Sequence, residues 1–278
     1  MIWKTRITLE ATAHAHNSFV TLTYNHEKMP FTPDGLPTLI PVDLKNWLKR
    51  FRKAIEPSRI RFYAVGEYGD KNSRPHYHAV LFGFQGCAYG SSRYADGRTI
   101  DCCHRCDLVR DTWGNGIIEL KVMEKAHAAY VAGYVMKKMT RPDDKRLEGR
   151  FPEFARQSNQ NGGIGIHAVP GLARIASQRL STGSADDVPT AVRIDGKIHP
   201  LGRYIRQQIR KQLGGDGKAP PSVIAQMEAE MLPLLYASQI DPENITLKKQ
   251  IVSRSRGAID SLKARAEIFN SRKRNNSL

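Results

Sequence analysis

Two histidines one residue apart, His76 and His78, sit at the start of the apolar run RPHYHAVLFG. In an extended strand alternate side chains share a face, so both imidazoles project together while Tyr77 points away. Imidazole is a common ligand for divalent cations. The chain has nine histidines, however, and a second such pair, His14 and His16, so the spacing alone leaves two readings, a metal site or polar residues near a surface. Glu67 lies on the preceding run RIRFYAVGEYG, nine residues before His76, where a hairpin would carry its carboxylate to the imidazoles. Two nitrogens and a carboxylate leave coordination positions open. Such a set suits Mg²⁺ or Mn²⁺ polarising a phosphate better than a closed structural zinc. The alternative for Glu67 is a carboxylate at a strand end.

A second chemical group stands in AAYVAGYVMKK. Tyr130 and Tyr134 are four apart and share a helix face, with Lys138 one turn further and Lys137 beside it. A phenol with a pKa near 10 can attack an electrophile that a metal or nearby positive charge has polarised, and lysines there can neutralise charge on a phosphate. The competing reading is an aromatic stripe that buries the helix against a sheet. Gly133, between the tyrosines, costs about 1 kcal/mol in a helix and suggests a close approach.

All four cysteines, Cys87, Cys102, Cys103 and Cys106, fall within twenty residues, with His104 among them. That clustering is not a disulfide framework for a chain of this length. Four soft ligands could hold a structural Zn²⁺, although the spacing is not a clean pair of CxxC motifs; ordinary reduced thiols in a loop are the other reading.

The elements that must carry these groups follow from patterning. NSFVTLTYN reads as a β-branched, aromatic strand. After a Pro- and Gly-rich loop, Asp43 can cap a helix, VDLKNWLKRFRKAI, with Leu44, Trp47, Leu48, Phe51 and Ile55 on one face and five basic residues on the other. RIRFYAVGEYG and PHYHAVLFGF, joined by GDKNSR, form a hairpin. Residues 85–116 read as a loop-rich insertion, GIIELKVM as a strand, and EKAHAAYVAGYVMKKM as a helix stopped by Arg141-Pro142. The order predicts an α+β domain, an antiparallel sheet with helices packed on it, over 1–182. Beyond it, STGSADDVPT reads as a linker into 183–278, a basic, mostly helical region with a hairpin signal, AVRIDGKIHPLG.

Of 278 residues, 43 are Lys or Arg against 27 acidic, a net charge of +16, which points to a polyanionic partner, nucleic acid before membrane. No run reaches the length of a membrane span, and MIWKTRITLE lacks the apolar stretch of a signal peptide, so an intracellular protein is expected. The tail 253–278 holds seven basic and two acidic residues, as a nucleic-acid arm or a solvated helix would.

Taken together, the strand FVTLTYN, the segment GEYGDKNSRPHYHAVLFG and the helix with YVAGYVMKK resemble the HUH endonucleases, and within them the replication initiators of microviruses, the gokushovirus-like branch in particular. FARQSNQNGGIGIH and VRIDGKIHPLGRY extend that likeness over about residues 15–215; the Cys-rich insertion is not part of it. The resemblance implies an RRM/ferredoxin-like sheet domain with His76 and His78 as metal ligands and Glu67 fitting as the third. Tyr130 or Tyr134 would attack a phosphodiester, and Lys137 would assist. Arg74 and Lys138 would contact DNA. It further implies nicking and rejoining of single-stranded origin DNA through a 5′-phosphotyrosine, rolling-circle replication with host replication machinery in the cytoplasm of a bacterial cell, and no membrane. A relaxase or transposase of the same superfamily, or a non-catalytic zinc-stabilised DNA-binding protein, are the alternatives.

Overall fold

The computed structural model describes residues 2–241 except 70–71, 89–93, 96–97, 100–101 and 138–142, together with Glu243 and Thr246. The tail expected to contact nucleic acid, residues 253–278, and Lys138 lie outside the described residues. The chain divides into two compact units, one made of Met1–Ser181 and Val188–Gly217, the other of Thr182–Asp187 and Lys218–Leu278.

The first unit runs α1 (Ile2–Thr12), β1 (Asn17–Tyr24), α2 (Pro41–Ala54), β2 (Arg61–Tyr68), β3 (Pro75–Phe82), two short strands β4 (Tyr94–Ala95) and β5 (Arg98–Thr99), α3 (His104–Trp113), β6 (Gly116–Val122), α4 (Lys125–Lys137) and β7 (Phe154–Gln157). Five strands form one antiparallel sheet in the order β6-β1-β3-β2-β7. The succession β1, α2, β2, β3, α3, β6 with the spatial order β6-β1-β3-β2 is ferredoxin-like wiring, to which β7 adds an edge. The expected α+β class with an antiparallel sheet holds.

Two local expectations do not. The 85–116 stretch contains a ten-residue helix, α3, rather than only loop. Cys106, Val109 and Trp113, three and four apart, are its buried face, and Gly114 ends it in the left-handed conformation at φ 65°. Asp43 is not the cap of α2. Ile40 precedes the helix, Pro41 occupies its first turn, and the Asp43 carboxylate instead accepts the Tyr24 hydroxyl at 2.6 Å.

One sheet face carries Val20, Leu22, Tyr24, Ala64, Tyr77, Ala79, Leu81, Ile118 and Leu120, packed under Trp47 and Phe51 of α2 and Val109 and Trp113 of α3. Trp47 and Trp113 are fully buried. Truncating either to Ala would cost about 3–5 kcal/mol. On the opposite face, Phe19, Tyr63, Val65, Val80 and Phe82 meet Ile7 of α1 and Ala128, Val131 and Ala132 of α4. The β2–β3 hairpin and this two-helix cover set up the site.

A third cluster joins Leu9 of α1 to α5 (Val169–Ser181), the hairpin β8 (Ala191–Ile194) and β9 (Lys197–Pro200), and α6 (Arg203–Gln212). Its turn places Asp195 and Gly196 at φ 49° and 77°, as the Asp-Gly signal requires. The hairpin and α6, which the sequence groups with the C-terminal region, pack in the first unit because Leu201, Ile205 and Ile209 bury against α5. The second unit contains α7 (Pro221–Ile240), with Pro233 inside the helix. Among the described residues no helix is long and apolar enough to cross a membrane.

Candidate active site

Strand register assembles the site. Thr23 of β1 and Glu67 of β2 stand directly opposite His76 of β3, while Thr21 and Val65 stand opposite His78. All of these side chains project from the face that α1 and α4 cover only in part. His78 and Glu67 are buried at 7% and 4% exposure. The Nε2 of His78 and the Oε1 of Glu67 are 2.9 Å apart. Each imidazole is held at its other nitrogen by a hydroxyl, His78 Nδ1 by Thr21 Oγ1 at 3.1 Å and His76 Nδ1 by Thr23 Oγ1 at 2.9 Å. His76 Nε2 lies against Gly69, where an added Cβ would come within 2.9 Å, so the position accepts only glycine without moving the ring.

The donor chemistry fits a hard divalent cation. Glu67 Oε2 is buried with no hydrogen-bond partner, an acceptor that costs free energy unless something positive meets it. Hydroxyls that fix one nitrogen of each ring orient the other, as outer-shell groups do around metal-bound histidines. The two rings stand 6.3 Å apart between centroids. Glu67, His76 and His78 are not among the donor sets that close to within 4.8 Å; among the described residues those are the four cysteines and Glu10, His14 and His167. Thr21→Val and Thr23→Val keep the β-branched shape and remove the hydroxyl. Each is expected to weaken Mn²⁺ binding about 10–100-fold by calorimetric titration, with an unchanged circular dichroism spectrum; wild-type affinity in both would detach the hydroxyls from any metal role.

Helix α4 brings Tyr130 to the same place. Its ring stands edge-on to His78 at 5.2 Å between centroids and edge-on to Phe19 at 6.0 Å. Phe19 also stacks on His78 and, at 4.5 Å, on His127 of α4, so one β1 aromatic sets the spacing between the histidine strand and the tyrosine helix. His127 Nδ1 accepts the Glu124 N–H at 2.9 Å in the first turn of the helix, and burial lowers the pKa of its ring. The stripe of α4 that faces the core is Ala128, Val131 and Ala132, whereas Tyr130 is 42% exposed. For Tyr130 the aromatic-stripe reading therefore fails. Tyr134 and Lys137 follow on the same helix. Gly133 has nothing within 4 Å of an added Cβ, so the close approach expected there is absent.

Other candidates stand differently. Arg74, expected to contact DNA, gives an Nη2 donor to the Tyr24 carbonyl at 2.6 Å and so ties the hairpin to the end of β1. The basic face of α2 lies on the layer behind the sheet, and Arg50 there caps α3 through the Thr112 and Trp113 carbonyls at 2.7 and 3.1 Å. Thr21, Thr23, Phe19 and Gly69 were not singled out from the sequence; the alternation F-x-T-x-T in NSFVTLTY was the available signal.

Residues 17–139 match the family of replication-associated protein ORF2. This stretch belongs to that family. Within the ORF2-family segment fall Glu67, His76, His78, both tyrosines and all four cysteines. The chain is 30% identical over 168 residues to the replication-associated protein ORF2 of Spiroplasma virus 4, covering 59% of this chain and 51% of that protein. It is 30% identical over 136 residues to the replication-associated protein ORF4 of Chlamydia phage 1, covering 47% and 33%. It is 28% identical over 136 residues to the replication-associated protein VP4 of Bdellovibrio phage phiMH2K, covering 46% and 41%. The chain thus spans between a third and about half of the length of these relatives. No solved structure matches it. The likeness to microvirus replication proteins drawn from the sequence holds.

Proposed function

We propose that the ORF2-family domain initiates rolling-circle replication by nicking and rejoining single-stranded origin DNA through a tyrosine. The observation that carries this reading is the convergence of Glu67, His76 and His78, each imidazole held by a threonine, on a helix whose exposed Tyr130 stands edge-on to His78. Glu67, His76 and His78 would hold Mg²⁺ or Mn²⁺. The cation would draw charge from the scissile phosphate and make phosphorus a better electrophile. The Tyr130 oxygen attacks, an O–P bond forms as the bond to O3′ breaks, the phenol proton passes to solvent and O3′ takes up a proton. A 5′-phosphotyrosine and a free 3′-OH result, and the 3′-OH is a primer for a host polymerase. Tyr134, one turn on, supplies a second nucleophile for the closing cut, and Lys137 offers positive charge close by. The strand polarity and the metal come from the resemblance to HUH endonucleases, as does action in the bacterial cytoplasm. The excess of basic residues, 43 against 27, suits a DNA partner.

The test is cleavage of a tiled set of single-stranded oligonucleotides, with adducts read on a denaturing protein gel. Chelation with EDTA is expected to stop both cleavage and adduct formation, and added Mn²⁺ or Mg²⁺ to restore them. Full cleavage in excess chelator would remove the metal from the mechanism, and binding without any cleavage would favour a non-catalytic DNA-binding protein.

A further inference from the structure

Behind the sheet, on the face away from Glu67 and the histidines, all four cysteines of the chain converge. Cys87 comes from the loop after β3, Cys102 and Cys103 lead into α3, and Cys106 lies in its first turn. Their sulfurs all lie within 4.8 Å of one another, with Cys87 Sγ 3.5 Å from Cys102 Sγ and 3.9 Å from Cys103 Sγ. Four sulfurs about 2.3 Å from a tetrahedral Zn²⁺ stand about 3.8 Å apart. The observed separations straddle that value and are far from the ~2.05 Å of a disulfide.

We infer that Cys87, Cys102, Cys103 and Cys106 form a structural tetrathiolate site for one Zn²⁺. Thiols make poor mutual hydrogen bonds, so burying four together, two of them at 1% exposure, gains little unless the thiolates share a cation. The surroundings suit an anionic centre. Cys103 is the residue before α3, whose N-terminal end carries partial positive charge. Arg105 in the first turn also donates to Gln85 Oε1 at 2.7 Å, closing the loop onto the helix. Gly86 lies against the Lys121 and Val122 backbone, too close for any side chain, so Cys87 is pinned between β6 and α3. The other close donor set, Glu10, His14 and His167, takes no comparable role, since Arg61 already lies 2.6 Å from the Glu10 carboxylate.

The zinc holds the start of α3, and the far end of α3 reaches the active face. Trp113 Nε1 donates to the Thr23 carbonyl at 3.2 Å, and the Thr23 hydroxyl holds His76. The site is thus a staple for the element that backs the His76 position. It is independent of the proposed nicking chemistry, because none of its ligands lies on the active face.

The test is the metal content of the full chain purified in reductant without added metal, measured by inductively coupled plasma mass spectrometry. One zinc per chain is expected, retained in His78→Ala and lost in Cys87→Ser and Cys106→Ser. If the serine variants fail to fold, replacing zinc with Co²⁺ in the wild type decides the matter: intense sulfur-to-cobalt charge-transfer bands with tetrahedral ligand-field bands are expected. Folded wild-type chain with no zinc, whose four thiols react with Ellman's reagent or are found paired as disulfides, overturns the proposal. Loss of the zinc in His78→Ala would overturn it too, by assigning the metal to the active face. An inactive protein that keeps its zinc would count against the nicking reading alone.

Discussion

Replacing both tyrosines, Tyr130→Phe with Tyr134→Phe, is expected to eliminate the covalent DNA adduct while leaving the fold and DNA binding in place. Phenylalanine keeps the ring, so the edge-on packing of Tyr130 against His78 and Phe19 survives, and only the hydroxyl is lost. The core contacts of α4 run through Ala128, Val131 and Ala132 and are untouched. Each single variant is expected to keep some cleavage but to fail at the coupled cut and rejoin that releases a circle. Adduct formation by the double variant would end the nucleophile assignment. A defect in one single variant alone would indicate a single-tyrosine, relaxase-like cycle.

The second large effect is expected from His78→Ala. A metal that stabilises charge on a phosphoryl transition state contributes several kcal/mol. At about 1.4 kcal/mol per factor of ten, its loss lowers the cleavage rate by about 10³-fold or more. Binding of single-stranded DNA should change little, since phosphate contacts by lysine and arginine dominate non-specific affinity. The alanine also leaves Glu67 Oε1 without its 2.9 Å partner in a buried place, at a cost of about 1–3 kcal/mol. Thermal unfolding should therefore be measured beside the rate, with His78→Gln as a variant that can still meet Glu67. Equal loss of cleavage and binding in a folded His78→Gln would make the histidine structural.

Much of the site was readable from alternation. A period of two put His76 and His78 on one face, and the turn-rich GDKNSR closed the hairpin that sets Glu67 directly opposite His76. Thr21 and Thr23 were hidden because threonine in a strand reads first as a β-branched former, and only the register across β1 and β3 gives the hydroxyls a task. Helix α3 was hidden by the glycines and cysteines around it and by its short buried face. Helix α1 has no single apolar stripe, since Ile7 faces the sheet, Leu9 faces α5 and α6, and Glu10 is wholly buried. Glu10 belongs to no periodic pattern; burial opposes its charge, but the Gly165 N–H, His14, His167 and Arg61 outweigh it and keep the pKa low. The α4 core stripe is small, so the two tyrosines were the more visible pattern, and only the packing shows which side of the helix is inside.

The outer rim of β2 has a consequence for the purity of the protein in solution. Strand β7 pairs only with Tyr63 to Gly66. On either side of that short ladder a side chain takes the amide a longer strand would have used: Ser158 Oγ accepts from Phe62 N–H at 3.0 Å, and Glu153 Oε1 accepts from Tyr68 N–H at 3.0 Å. A carboxylate offers acceptors and no donor, so it ends a ladder where a backbone would have continued it. Bare strand rims are templates on which a second copy can add and grow into aggregate. Here the rim is closed beside Glu67 itself, and the sheet that presents the reactive groups stays monomeric at that edge.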